Sequence, residues 1–336
     1  MATQKCYIHQ GEFVLENGQV IQNLEITYHT YGKYNPEKNN VIWVCHALTA
    51  NSDVFDWWSG VCGEKAFFNP EEHFIVCANV IGSCYGTTGP LSMDLNGQKW
   101  YDEFPFVSTR DMAKAHELLR QYLGIQKVNT LIGSSLGGQQ AMEWSILKTE
   151  VFENLILIAT NAFHSPYGIA YNESQRLAIF ADNTYHQRID NGGQQGLIAA
   201  RSMALISYRS YDGYVTTQSE DTADKTDDFL ASRYQRYQGW KLANRFNAYA
   251  YVTLSKAMDA HHVGRGRNSI SEALKSITSK TLVIGISSDN LFPTNEQKYL
   301  AELIPNSTYK CIDSIFGHDG FLVEKEQLIE IFKGFF

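Results

Sequence analysis

The chain is 336 residues long, which suits one large α/β unit with an insertion better than a single small domain. Apolar residues at 44% and charged residues at 19% can bury an extensive core and exclude a disordered chain. A formal net charge of −8 and a pI near 5.7 exclude a general polyanion binder, because neutralising phosphates needs a basic surface, so nucleic acid is not an expected partner.

The opening segment MATQKCYIHQGEF holds no apolar signal-like stretch, and no later run has the unbroken apolar length of a membrane span, so a cytoplasmic location is expected. The six cysteines (Cys6, Cys45, Cys62, Cys77, Cys84, Cys311) form no C-x-x-C pair and show no ligand-like His spacing; buried reduced thiols are the expected state, with no metal site. Residues 6 to 32 alternate apolar and polar side chains about Asn17-Gly18, a dipeptide suited to a two-residue hairpin, and predict an antiparallel edge to a sheet. Val41 to Cys45 then reads as a buried strand delivering His46-Ala47-Leu48-Thr49 to its C-terminal end, where open α/β sheets build their sites. A second apolar run, Phe74 to Val80, leads into Gly82 to Pro90, a tightly turned loop that reads equally as a structural turn and as a pocket wall.

Ser108-Thr109-Arg110-Asp111 has capping-box spacing, and Gly124 supplies a stop, so a helix lies between them. Val128 to Ile132, the turn after it, its helix and the run Leu155 to Ala159 continue a β-α-β alternation, for which a parallel sheet with right-handed crossovers is expected. From about Asn161 to Arg267 strand-like runs vanish. Helical patterning appears in Gly196 to Tyr208 and Trp240 to Ala260, separated by the polar, acidic stretch Asp212 to Asp228. This predicts a helical insertion over 161–267 carrying a mobile loop, placed as a cap over a site, with the core formed by 1–160 and 268–336. Thr281 to Ile286 and Thr308 to Ile312 are again strand-like, and a last helix closes the chain.

The stretch TLIGSSLGGQQAMEW, Thr130 to Trp144, carries the chemistry. Gly133-Ser134-Ser135-Leu136-Gly137 fits G-x-S-x-G between a strand-like and a helix-like run, the context of a nucleophile elbow. A tight strand-to-helix turn needs flanks without bulk and pushes its central side chain clear of the sheet, which makes Ser135 the candidate nucleophile. On its own the pattern is also compatible with an ordinary Gly/Ser turn. An α/β-hydrolase fold would place an acid and a histidine, in that order, on later strand ends, and Asp289 and His318 stand there. The imidazole would take the serine proton and return it to the leaving group, while the carboxylate fixes the ring tautomer. Singly, Asp289 reads as well as a helix cap and His318 as a loop residue. Backbone N–H groups of Leu48 and Leu136 are the candidate oxyanion donors.

CHALTA (Cys45 to Ala50), NVIGSCYGTTGP (Asn79 to Pro90), GSSLGGQQAMEW (Gly133 to Trp144), SSDNLFP (Ser287 to Pro293) and GHDGFL (Gly317 to Leu322) resemble the homoserine O-acetyltransferases of methionine biosynthesis. The resemblance runs from about Phe13 to the C-terminal helix and includes AARSMALISYRS (Ala199 to Ser210). It implies an acyl-CoA-dependent transferase with Ser135, Asp289 and His318 as triad, no tightly bound cofactor, acetyl-CoA as co-substrate, and a homodimer formed through the cap. It also implies that Arg201 and Asp319 bind L-homoserine, and the charges agree, since a free amino acid offers one carboxylate and one ammonium. HALTA in place of HALTG, and Leu136 where Met or Phe is common in the family, leave the acyl chain open between acetyl and succinyl. A plain serine esterase or thioesterase would share the same triad. Gly264-Arg265-Gly266-Arg267 reads either as a contact for CoA phosphates or, with more support, as a solvated basic turn.

Overall fold

The computed structural model describes residues 3–336. The described residues form ten strands: β1 (Lys5–Ile8), β2 (Glu12–Val14), β3 (Val20–Gln22), β4 (Glu25–Tyr31), β5 (Val41–Cys45), β6 (Phe74–Ala78), β7 (Val128–Ser134), β8 (Phe152–Ile158), β9 (Lys280–Ile286) and β10 (Ser307–Ile312). Eight of them form one sheet in the order β1-β4-β6-β5-β7-β8-β9-β10. The β1/β4 and β4/β6 pairs are antiparallel and all others parallel. The expected α/β-hydrolase arrangement with a mostly parallel sheet is therefore observed.

One edge expectation is corrected. The strands that flank Asn17-Gly18, β2 and β3, pair only with each other, while the antiparallel edge comes from β1 and β4. The turn is also longer than two residues. Leu15 N–H donates to Gln19 O at 2.8 Å and Gly18 N–H to Leu15 O at 3.0 Å, and only Gly18 of the pair has positive φ, at 85°. A longer loop of this kind needs one left-handed residue, not two.

The β5 run VIWVC is buried throughout because both faces of the sheet are covered. Val41, Trp43 and Cys45 pack into one core, and Ile42 and Val44 into the other, the period-two alternation of a strand. The helices that cover these faces begin with α1 (Val54–Trp57), α2 (Thr109–Tyr122) and α3 (Leu136–Leu147). The α2 capping box is complete: Asp111 N–H donates to Ser108 Oγ at 3.2 Å, and Ser108 N–H to Asp111 Oδ2 at 3.0 Å.

Between β8 and β9 the chain forms α4 (Pro166–Phe180), α5 (Gln194–Tyr208), α6 (Tyr211–Gln218), α7 (Leu230–Ala243), α8 (Ala248–Asp259) and α9 (Ile270–Lys275). Helix α6 occupies the first half of the acidic stretch, which leaves a loop only over 219–229. The helical segment leaves and returns through a pinned neck, where Val263 N–H donates to Ala162 O at 2.9 Å and His164 N–H to His261 O at 3.0 Å. Helices α10 (Thr294–Leu303), α11 (Gly320–Val323) and α12 (Lys325–Phe335) complete the chain. Among the described residues no helix is long and apolar enough to cross a membrane.

All six cysteines are free, but only Cys45, Cys62 and Cys77 are buried; Cys6 and Cys311 are exposed and Cys84 is intermediate. Burial pushes the Cys84 thiol up to about 11, so it is protonated at neutral pH.

Candidate active site

The elbow follows from what glycine permits. A Cβ on Gly133 would lie 2.2 Å from Gly137 O, and one on Gly137 would lie 2.1 Å from Cys45 O. Any side chain at either position would push β7, α3 and β5 apart. Between them Ser135 has φ 55° and ψ −127°, a conformation non-glycine residues rarely adopt. It is held there by Ser135 N–H donating to Ile158 O at 3.0 Å and by Thr160 Oγ1 donating to Ser135 O at 2.9 Å. The strain thus has a local counterweight, and the hydroxyl stands at the top of the sheet.

Asp289 and His318 follow β9 and β10, on the same edge. Asp289 Oδ1 accepts from Leu291 N–H and Phe292 N–H, both at 2.9 Å, and His318 Nδ1 lies 2.7 Å from Asp289 Oδ2. An acceptor-only carboxylate on Nδ1 places the proton there and leaves Nε2 free to take one. The ring lies between Phe292, stacked at 5.0 Å, and Phe321, edge-on at 5.7 Å. Burial, the largest influence, pushes the imidazole pKa down, but the charge and hydrogen bond of Asp289, with a smaller contribution from Asp319, outweigh it and the net shift is upward. Gly317 has φ 64°, and a Cβ there would lie 2.7 Å from Tyr208 O, so the histidine loop packs directly on the end of α5.

Ser135, His318, Leu48, Arg201 and Asp319 all line one cavity of about 480 Å³, with Tyr208 also in its wall. That volume is in the range of small-molecule sites. Asp289 stands behind His318. Among the described residues no hydrogen bond joins Ser135 Oγ to His318 Nε2, a looseness common in sites without substrate. The backbone N–H groups of Leu48 and Leu136 have no acceptor among the described residues, which leaves both available to an oxyanion. Leu136 opens α3, so its amide also carries the positive end of the helix.

His46 was not singled out from the sequence, yet it holds the Leu48 loop. Val80 N–H donates to His46 Nε2 at 3.2 Å, which puts the ring proton on Nδ1, 2.9 Å from Ala47 O. Burial pushes its pKa down to about 4, so it is neutral at physiological pH. The pattern CHALTA was its only sequence signal.

Arg201 has no ion-pair partner among the described residues; its Nε is buried without a hydrogen bond, and its guanidinium lies 5.3 Å over the Tyr208 ring. A buried donor without a partner is costly, and the rest of the Arg201 side chain lines the cavity. Asp319 differs. Arg209 Nε lies 3.0 Å from Asp319 Oδ2, although the alignment falls short of a hydrogen bond and the contact is ionic. Arg209 was not anticipated.

The turn Gly264 to Arg267 is part-exposed, but its two arginines are paired and not free cations. Arg265 Nε lies 3.1 Å from Glu16 Oε1, and Arg267 Nη2 lies 2.8 Å from Glu143 Oε2, a carboxylate whose side chain is 1% exposed. Arg110 joins both glutamates, so these cations are already paired with carboxylates and are not free for phosphates, although Arg265 keeps 39% of its side chain exposed. No group of three or more His, Cys, Asp or Glu among the described residues is arranged to hold a metal.

The alpha/beta hydrolase fold family model matches residues 40–325. The chain is 48% identical to a homoserine O-acetyltransferase of Cyclobacterium marinum over 99% of this chain and 95% of that one. It is 30% identical to the solved homoserine O-acetyltransferase of Staphylococcus aureus, with TM-score 0.81 over 99% and 95% of the two chains. Esterase E22 superposes with TM-score 0.89 over 100% of both chains at 19% identity, a likeness of fold alone.

Proposed function

Because the chain belongs to the homoserine O-acetyltransferases of the alpha/beta hydrolase fold, we propose that it moves an acetyl group from acetyl-CoA to the hydroxyl of L-homoserine through an acyl-serine intermediate. Ser135 Oγ attacks the thioester carbonyl while His318 Nε2 takes its proton, and the oxyanion is met by the N–H groups of Leu48 and Leu136. The C–S bond then breaks, and His318 returns the proton to the departing CoA thiolate. In the second half the homoserine hydroxyl attacks the acyl-serine carbonyl, His318 again takes and returns a proton, and the O-acyl ester leaves with Ser135 restored.

The observation that carries this reading is Arg201. A hydrolase acting on neutral esters has no use for a part-buried guanidinium without an ion-pair partner among the described residues in the same cavity as its serine, whereas a free amino acid brings a carboxylate to pair with it. Asp319, on the opposite charge, would take the ammonium. From family membership we propose the cytoplasm and methionine biosynthesis, and we propose a homodimer through the helical insertion, whose Tyr167, Tyr211, Tyr237 and Trp240 are exposed.

Purified enzyme supplied with acetyl-CoA and L-homoserine should yield O-acetylhomoserine by mass spectrometry, and Ser135→Ala should yield none. Faster transfer from succinyl-CoA than from acetyl-CoA would reassign the donor while leaving the acceptor in place. Transfer to L-serine in preference to homoserine would reject the acceptor.

A further inference from the structure

The cavity that holds Ser135 and His318 at its floor opens past Asp56, Lys241, Arg245 and Leu322, all exposed. Two of these four are cations, on a chain whose overall charge is −8. Lys241 projects from the last turn of α7, and Arg245 stands just beyond it, in the connection to α8. Lys241 forms no ion pair or hydrogen bond among the described residues. Arg245 is anchored, because its Nη1 donates to Thr49 O and to Tyr85 Oη, both at 2.6 Å, while Nε and Nη2 make no hydrogen bond among the described residues. The guanidinium is thus fixed in place with part of its donor fork open to solvent at the mouth.

We infer that Lys241 and Arg245 form a phosphate-binding rim for the nucleotide end of the thioester donor, with the acyl end at Ser135. This rests on the transferase reading. A thioester whose carbonyl reaches the buried floor must leave its phosphates outside, because phosphate charge cannot be stripped of water without cations to meet it. The mouth of this cavity supplies such cations, whereas Arg265 and Arg267, the other candidates, are already neutralised by Glu16 and Glu143. Arg245 adds a coupling. The donor end that binds it touches the same side chain that braces Thr49, one residue from the Leu48 amide, so donor binding and the oxyanion loop share an anchor.

Lys241 gives the cleaner test, since Arg245 also supports the loop. The measurement is kcat/KM of transfer to L-homoserine from acetyl-CoA and from acetyl-N-acetylcysteamine, a thioester without phosphates, for wild type and Lys241→Glu. Reversing the charge should lower the ratio of the two values by about tenfold or more, as expected for like charges brought together at a binding site, and the loss should appear in KM for acetyl-CoA. Added salt should shrink the wild-type preference for acetyl-CoA. An unchanged ratio in Lys241→Glu, with wild-type transfer intact, overturns the rim alone. Absence of wild-type transfer from either thioester overturns the transferase reading, and the rim with it.

Discussion

Arg209 Nε lies 3.0 Å from Asp319 Oδ2, so the aspartate beside His318 is held by a cation from the end of α5 and not by Arg201. Both side chains are mostly buried, and the pair ties the histidine loop to the helical insertion at the point where Gly317 already touches Tyr208. Arg209→Ala should therefore raise KM for homoserine by about tenfold, since Asp319 loses its orientation. Its effect should not add to that of Asp319→Asn in a double-mutant cycle, because both changes break one contact. Full additivity would mean that the ion pair has no part in acceptor binding.

Arg201 predicts a different pattern. Its guanidinium meets no carboxylate of the protein among the described residues, so its removal leaves no orphaned internal charge. Arg201→Ala should raise KM for homoserine by about ten- to a hundredfold, the worth of a charge-assisted pair, with acylation of Ser135 by acetyl-CoA nearly untouched. Arg201→Lys should recover little, because an ammonium lacks the planar fork. Equal loss in both half-reactions would assign Arg201 a structural role.

With His318 as the proposed general base, the acid limb of the pH–rate profile should report on it. A general base acts in its neutral form, and the pKa is raised, so kcat/KM should rise with pH through a value above the ordinary histidine value of about 6.5. Asp289→Asn removes the two larger influences that raise it and leaves burial, which lowers it, against only the smaller Asp319 contribution. The variant should lose about four orders of magnitude in rate, with the residual activity titrating at lower pH than wild type. A limb that stays in place would assign it to another group.

Glu296 opens α10 with its carboxylate accepting from Asn161 Nδ2 at 3.0 Å, and Asn161 in turn accepts from Gln139 of α3 at 3.0 Å. Burial pushes the Glu296 pKa up to about 7; the Asn161 bond opposes this and the Asp289 charge adds to it. A folded pKa above the unfolded one contributes stability below pH 4.5 that is lost as pH rises through 7. Glu296→Gln, which cannot ionise, should have a higher Tm than wild type at pH 8, with the difference shrinking at pH 5. A variant equally or less stable at pH 8 would refute the ionisation penalty.

The readable parts of the chain are those where local geometry restricts residue type. Gly133 and Gly137 mark the elbow because backbone atoms lie where a Cβ would stand, and Asp289 marks a strand end because the apolar run of β9 comes just before it, whereas β10, before His318, is largely polar and exposed. Pairings across long stretches were not readable. Arg265 and Arg267 look like a free basic turn until Glu16 and Glu143, 249 and 124 residues away, are folded against them. Arg209, His46 and Arg245 are silent for the same reason, since each acts through a partner that only the tertiary fold supplies. The β2–β3 hairpin shows a further limit: alternation identifies strands, but not which sheet receives them.

Under the proposed function an acyl-serine waits for an amino acid and not for water. Water is abundant, so homoserine prevails only if the insertion over the cavity limits water and Arg201 and Asp319 bring the hydroxyl beside His318. The most direct measurement is CoA release from acetyl-CoA with and without L-homoserine. Slow release alone, acceleration by homoserine, and parallel double-reciprocal lines for the two substrates are expected. Release equally fast without any amino acid, with free acetate as product, would contradict the proposed function.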